Sequence, residues 1–211
     1  MCKLKQKSLS LHENPLDEEK PSDLEMPSNH YAIRPASVFR LDLYDVFLDE
    51  PTMGYALEHA KEKMRDAKTR RMKDSFGQPS IESHEIGAVC ELAVRLLLNE
   101  PLTLTSGEGN VADIPPDIQV RGTRTQGEMK VRRKQGRYGD DPNWIVVGCI
   151  WWPRGYRGKP CVTVRGAMRA GYAQQRYPEE DKGDRGRPAH FVHWSSLSNL
   201  TPLLDKRRKT S

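Results

Sequence analysis

Between Asp113 and Lys134 the sequence DIPPDIQVRGTRTQGEMKVRRK sets acids, an amide and cations at alternate positions. An extended strand sends successive side chains to opposite faces, so Asp117, Gln119 and Arg121 share one face while Ile118 and Val120 take the other. Glu128, Lys130 and Arg132 likewise share a side, opposed to Met129 and Val131. Carboxylates crowded among cations are the ingredients of a metal or phosphate site. A two-residue loop at Thr125-Gln126 makes the segment a hairpin, with Val120 opposite Val131, Gly122 opposite Met129 and Arg121 opposite Lys130. A three-residue loop would set Val120 against Arg132 and break the apolar face. Directly opposed like charges cost up to about 1 kcal/mol, so an anion is expected beside Arg121 and Lys130, either a carboxylate or a nucleic-acid phosphate.

Other elements must hold this ribbon in place. Ile86, Val89, Cys90, Ala93, Val94, Leu96 and Leu97 recur at helical spacing, with Ser83 as a candidate cap and Pro101 as the stop, and this helix carries Glu91. Glu91 and Arg95 have the spacing of a surface ion pair. An earlier helix is read over Met53 to Phe76, with Arg65, Lys68, Arg70, Arg71 and Lys73 near its end, while 36–47 is undecided between helix and strand. WIVVGCIWW is a continuous apolar run of the kind found in a buried central strand. A strand at CVTV, a short helix near Ala167 to Arg176, the hydrophilic loop YPEEDKGDRGRP and a last strand at HFVHW follow. This order predicts an α/β fold with a mixed β-sheet flanked by helices. The expected divisions are a flexible tail over 1–30, a helical extension over 31–80, an α/β domain over 81–204 and a basic tail over 205–211.

Composition narrows the partners. The chain has 211 residues, 36% of them hydrophobic and 30% charged, with a net charge of +5. That balance suits one domain with a modest core and permits a polyanionic partner. Arg121, Arg124, Lys130, Arg132, Arg133, Lys134 and Arg137 surround a single acid, Glu128, between Ile118 and Tyr138. Cys2, Cys90, Cys149 and Cys161 form no close pair, and His190 and His193 would face opposite ways on a strand, so a zinc site is not expected. Trp151 and Trp152 could stack on bases or bury against the sheet. With no apolar run long enough for a membrane and no signal-peptide core at the start, a soluble, cytoplasmic protein without membrane contact is expected.

A helix bearing an acid, then Asp, then strands carrying Glu-x-Lys, then a hydrophobic strand resembles the PD-(D/E)xK, or restriction-endonuclease-like, nuclease superfamily. The strings GAVCELAVRLLL, VADIPPDIQVRGT and NWIVVGCI are similar to small bacteriophage nuclease-like proteins, over roughly residues 82 to 200. Two alignments follow. One matches Pro116-Asp117 with Glu128-Met129-Lys130; the other matches Asp113 with Gln119-Val120-Arg121, trading a carboxylate for an amide and lysine for arginine. In the hairpin register Asp117 and Glu128 stand about 20 Å apart along the strands at about 3.3 Å per residue, which favours Asp113 or Asp117 with Gln119 and Arg121. The resemblance implies a restriction-endonuclease-like core and hydrolysis of DNA phosphodiester bonds with Mg²⁺ or Mn²⁺ held by Glu91, Asp113 and Asp117. Arg121 and Lys130 would meet the reacting phosphate, and Arg124, Arg132, Arg133 and Lys134 the backbone. A nuclease-fold protein that binds nucleic acid without cutting it is the alternative, and a protein-interaction adaptor a third reading; DNA against RNA, and a homodimer, stay open.

Overall fold

A computed structural model of the chain describes residues 32–35, 43–69, 81–104, 111–125, 127–133, 139–155, 158–182 and 188–208. The tail over 1–30, together with Gln126, Lys134 and Arg137, lies outside the described residues. Strands β1 (Ala32–Pro35) and β2 (Tyr44–Phe47) precede helices α1 (Glu50–Thr69) and α2 (Ile81–Leu98). Strands β3 (Ile118–Thr123), β4 (Glu128–Val131), β5 (Ile145–Trp152) and β6 (Cys161–Arg169) follow, then α3 (Ala170–Arg176), β7 (Glu179–Glu180), β8 (Ala189–His193) and α4 (Thr201–Arg208). The result is mixed α/β. A five-stranded sheet runs β1-β2-β6-β5-β3, and a separate three-stranded antiparallel sheet runs β4-β8-β7.

The expected hairpin does not form. β3 lies parallel to β5, with Val120 beside Val147 and Arg121 beside Gly148, while β4 leaves for the smaller sheet and pairs antiparallel with β8. The reason lies in β5, which is apolar on both faces. Val147, Cys149 and Trp151 enter one core with α2, and Val146 and Ile150 enter a second core with Met129, Val131, Val192 and Trp194. A strand buried on both sides needs a cover on each. The α1–α2 pair supplies one and β4–β8 the other, so the connection from β3 to β5 runs through β4. At Gly148 an added Cβ would sit 2.4 Å from the Trp194 ring, so the second layer closes directly onto bare backbone.

The helices follow their end signals. Asp49 caps α1 by accepting the Thr52 amide at 2.9 Å, and Pro51 falls in the first turn, where its missing N–H costs nothing. The helix therefore begins before Met53. α2 begins at Ile81, so Ser83 lies within the helix and is not its cap. It ends in a left-handed Asn99, φ 57°, where the Glu100 amide returns to the Arg95 carbonyl at 2.9 Å and the Asn99 amide to Leu96 at 3.2 Å. Pro101 stands two residues beyond this cap. The 31–80 stretch supplies two strands to the large sheet and a helix packed on α2. Residues 205–208 continue α4. No helix among the described residues is long and apolar enough to cross a membrane.

Candidate functional site

β3 is the edge of the large sheet, and the chain just before it folds back along that edge. Ile114 and Ile118 exchange both backbone hydrogen bonds at 2.9 Å around the Pro115-Pro116 turn, whose peptide bond is cis. This places the Asp113 carboxylate against the unpaired side of β3. Its Oδ2 accepts the Val120 amide at 2.8 Å and the Gln119 side-chain amide. Asp113 thus ends the sheet by answering a donor that has no strand partner.

From the other side comes α2. Glu91 and Arg95 are 3% exposed, so their pair is buried rather than the surface pair that the spacing suggested. Arg95 donates to Glu91 Oε1 from Nε at 3.1 Å and from Nη2 at 3.0 Å, and to the Asp113 carbonyl at 2.5 Å. One guanidinium therefore ties the helix acid to the residue that bears the strand acid. Burial, reinforced by neighbouring Asp113, pushes the Glu91 carboxyl up to about 7, against the pull of Lys63 and Arg95. Burial also raises Asp113, opposed by Arg121, the Val120 amide and Lys63, with Asp140 adding to the rise. The two acids thus repel one another in a poorly hydrated place, each partly offset by a guanidinium, Arg95 for Glu91 and Arg121 for Asp113.

Arg121 follows Gln119 by two residues on the same face of β3 and donates to Asp140, which is fully buried. The anion expected beside Arg121 is therefore Asp140, a residue that the sequence reading passed over in a loop. Glu91, Asp113, Gln119 and Arg121 are brought together around one strand edge. The other candidates are not. Asp117 is held at 3.1 Å by Arg207 of α4, which also reaches Glu100 at 3.2 Å. Glu128 and Lys130 belong to the smaller sheet, Glu128 paired with Lys182 at 2.5 Å and the Lys130 ammonium 5.7 Å from the Phe191 ring centre. Arg121 and Lys130 are consequently not cross-strand neighbours.

The proposed backbone-binding cations divide in the same way. Arg124 reaches back to Glu82 of α2 at 2.8 Å, with its guanidinium 4.5 Å from the ring centre of the buried Trp151. That tryptophan is packed in the core rather than offered to a base. Trp152 donates its indole N–H to Thr163 at 3.0 Å. Arg132 gives its amide to Asp140 at 2.8 Å, and exposed Arg133 lies next to it in a bridge with Asp140. Lys134 lies outside the described residues. Cys90 and Cys149 are buried free thiols, and Cys161 opens β6. Lys63 of α1 and Asp140 are the site residues that sequence reasoning missed; neither has a local pattern that marks it.

No group of three or more histidine, cysteine, aspartate or glutamate side chains among the described residues is arranged to hold a metal ion. Glu91, Asp113 and Asp117 are therefore not assembled as a trio. The remaining carboxylate pair is chemically suited to Mg²⁺ or Mn²⁺, hard cations that take one or two protein carboxylates and complete their shell with water and phosphate. No protein-family model matches the chain, and no curated protein or solved structure is significantly similar to it.

Proposed function

We propose that this chain is a metal-dependent nuclease of the restriction-endonuclease-like, PD-(D/E)xK kind, hydrolysing phosphodiester bonds in DNA. The observation that carries the reading is the convergence of Glu91 and Asp113, from a helix and a strand edge, beside the part-exposed cation Arg121. In this reading Glu91 and Asp113 hold Mg²⁺ or Mn²⁺. When bound, the ion supplies Lewis acidity toward the phosphodiester and lowers the pKa of a water. Gln119 fixes the Asp113 carboxylate through their hydrogen bond. Arg95 keeps the helix acid and the Asp113 main chain in register. Arg121 places a guanidinium against a phosphate oxygen and favours the charge that develops there, and exposed Arg133 adds backbone affinity.

Plasmid DNA incubated with Mg²⁺ or Mn²⁺ is expected to be nicked or linearised by the wild type, with a loss on the order of a hundredfold or more in Asp113→Ala. Equal background cleavage by both proteins would reject the enzyme. A second reading, a nuclease-fold protein that binds nucleic acid without cutting it, is favoured by Gln119 and Arg121 at positions where the superfamily pattern has a carboxylate and lysine. Arginine scarcely deprotonates and cannot act as a base. That reading expects DNA retention that weakens with salt and needs no divalent ion.

A further inference from the structure

Asp140 is fully buried in the link between β4 and β5, and both of its carboxylate oxygens are engaged. Oδ1 accepts from Arg121 Nη2 and Oδ2 from the Arg132 amide at 2.8 Å. Its own amide donates to the Arg132 carbonyl at 3.2 Å. Gln174 of α3 then donates to the carbonyls of both Arg132 and Asp140, at 3.1 and 3.0 Å. A buried carboxylate is costly unless paired, so the Asp140 charge strongly favours one placement of the Arg121 guanidinium.

Arg121 itself is 29% exposed along its side chain, while Asp140 is 0% exposed, so the guanidinium has its pinned end inside and a route to solvent. Besides Asp140, its described partner is the Val120 carbonyl at 3.5 Å, a long contact that leaves most of the five donors of the group for a ligand. Gln119, two residues earlier on the same face, touches Asp113. The clamp thus aims a cation at the strand edge where the acids meet.

We infer that Asp140 is a positioning residue: it orients Arg121 toward a bound phosphate and anchors the Arg132-Arg133 segment that follows β4 beside it. The inference rests on the proposed function for the identity of the ligand, a nucleic-acid phosphate, but its test does not require cleavage. Asp140 acts through Arg121, so the two residues form one unit.

The test is the salt dependence of binding to a short DNA duplex, followed by fluorescence anisotropy in metal-free buffer, with thermal unfolding run on every variant. Arg121→Gln removes one phosphate contact and is expected to reduce the slope of log K against log salt by about 0.9. Asp140→Asn should reduce it by a similar amount, and the double variant no further, because the second change removes a residue that already has nothing to orient. Should Asp140→Asn fail to fold, Gln174→Ala frees the Arg132 and Asp140 carbonyls and loosens the Asp140 link without changing any charge. It is then expected to lose part of the same slope, and a wild-type slope in that folded variant would overturn the clamp. A wild-type slope in folded Asp140→Asn, or a doubled loss in the double variant, overturns the clamp. Wild type that binds but does not cut plasmid with Mg²⁺ or Mn²⁺ rejects the nuclease and leaves the clamp standing; wild type that binds no DNA in metal-free buffer rejects the clamp and leaves plasmid cleavage to decide the nuclease.

Discussion

At Glu91 burial and charge oppose one another, and the titration of that carboxyl reports on its surroundings. Folded, its carboxyl keeps a proton up to about pH 7, against an ordinary value of 4.5. The native state therefore binds a proton that the unfolded chain has released between those values. The stabilisation is complete below 4.5 and is lost as pH rises through about 7. Glu91→Gln removes this dependence while keeping side-chain volume, so its unfolding temperature relative to wild type should climb from pH 4.5 to pH 7.5; a difference constant with pH would refute the buried acid. Under the proposed function the ion needs the carboxylate form, so Mg²⁺ or Mn²⁺ affinity is expected to rise through the same interval. Truncation to alanine is a different experiment. It strands the Arg95 charge in the interior and is expected to cost about 3–5 kcal/mol, because the pair is 3% and 4% exposed. The sequence supplied Glu91, Asp113, Gln119 and Arg121 by type and by resemblance, but their environments follow from contacts that spacing does not encode. Arg95 was read as a surface partner, and Asp140, flanked by glycine and a second aspartate, resembles any polar loop residue.

Between elements, the site depends on how closely α2 lies on β3. A Cβ added at Gly122 would stand 2.6 Å from Cys90 Sγ, 2.7 Å from Ile86 Cγ2 and 3.1 Å from the Ile86 carbonyl. Gly122→Ala is thus expected to push helix and strand apart, costing about 1–3 kcal/mol in a denaturant titration and weakening the proposed activity through Glu91, which neighbours Cys90. A midpoint equal to wild type would mean that the interface yields freely. The apolar stripe of α2, the continuous run of β5 and the strand at CVTV were legible because periodicity and burial agree there. The partner of β3 was not. Alternation in 118–123 and 128–131 is equally satisfied by pairing with each other or with different strands, since either choice buries the same side chains. Tertiary demand broke the tie, because the far face of β5 needed Met129 and Val131 more than β3 needed a second neighbour on its outer edge.

Across the whole molecule, β5 serves two cores at once, one beneath α2 and one beneath β4 and β8. Loss of either layer exposes half of that strand, so urea unfolding followed by tryptophan fluorescence and by far-ultraviolet circular dichroism should give coincident transitions; two separated midpoints would show that the layers hold independently. The net charge of +5 and the cation-rich stretch after Ile118 keep a polyanion in view at this scale. Local order alone determined the α/β composition, the two amphipathic or apolar segments that build the main core, and the residue types able to meet a metal or a phosphate. These are properties of neighbours along the chain. Tertiary structure decided that Asp113 closes a sheet edge, that Asp117 turns away to Arg207, that Glu128 and Lys130 enter another sheet, and that Asp140 holds Arg121. Each depends on which distant surface most needed covering or neutralising, a competition among free energies that no single segment contains.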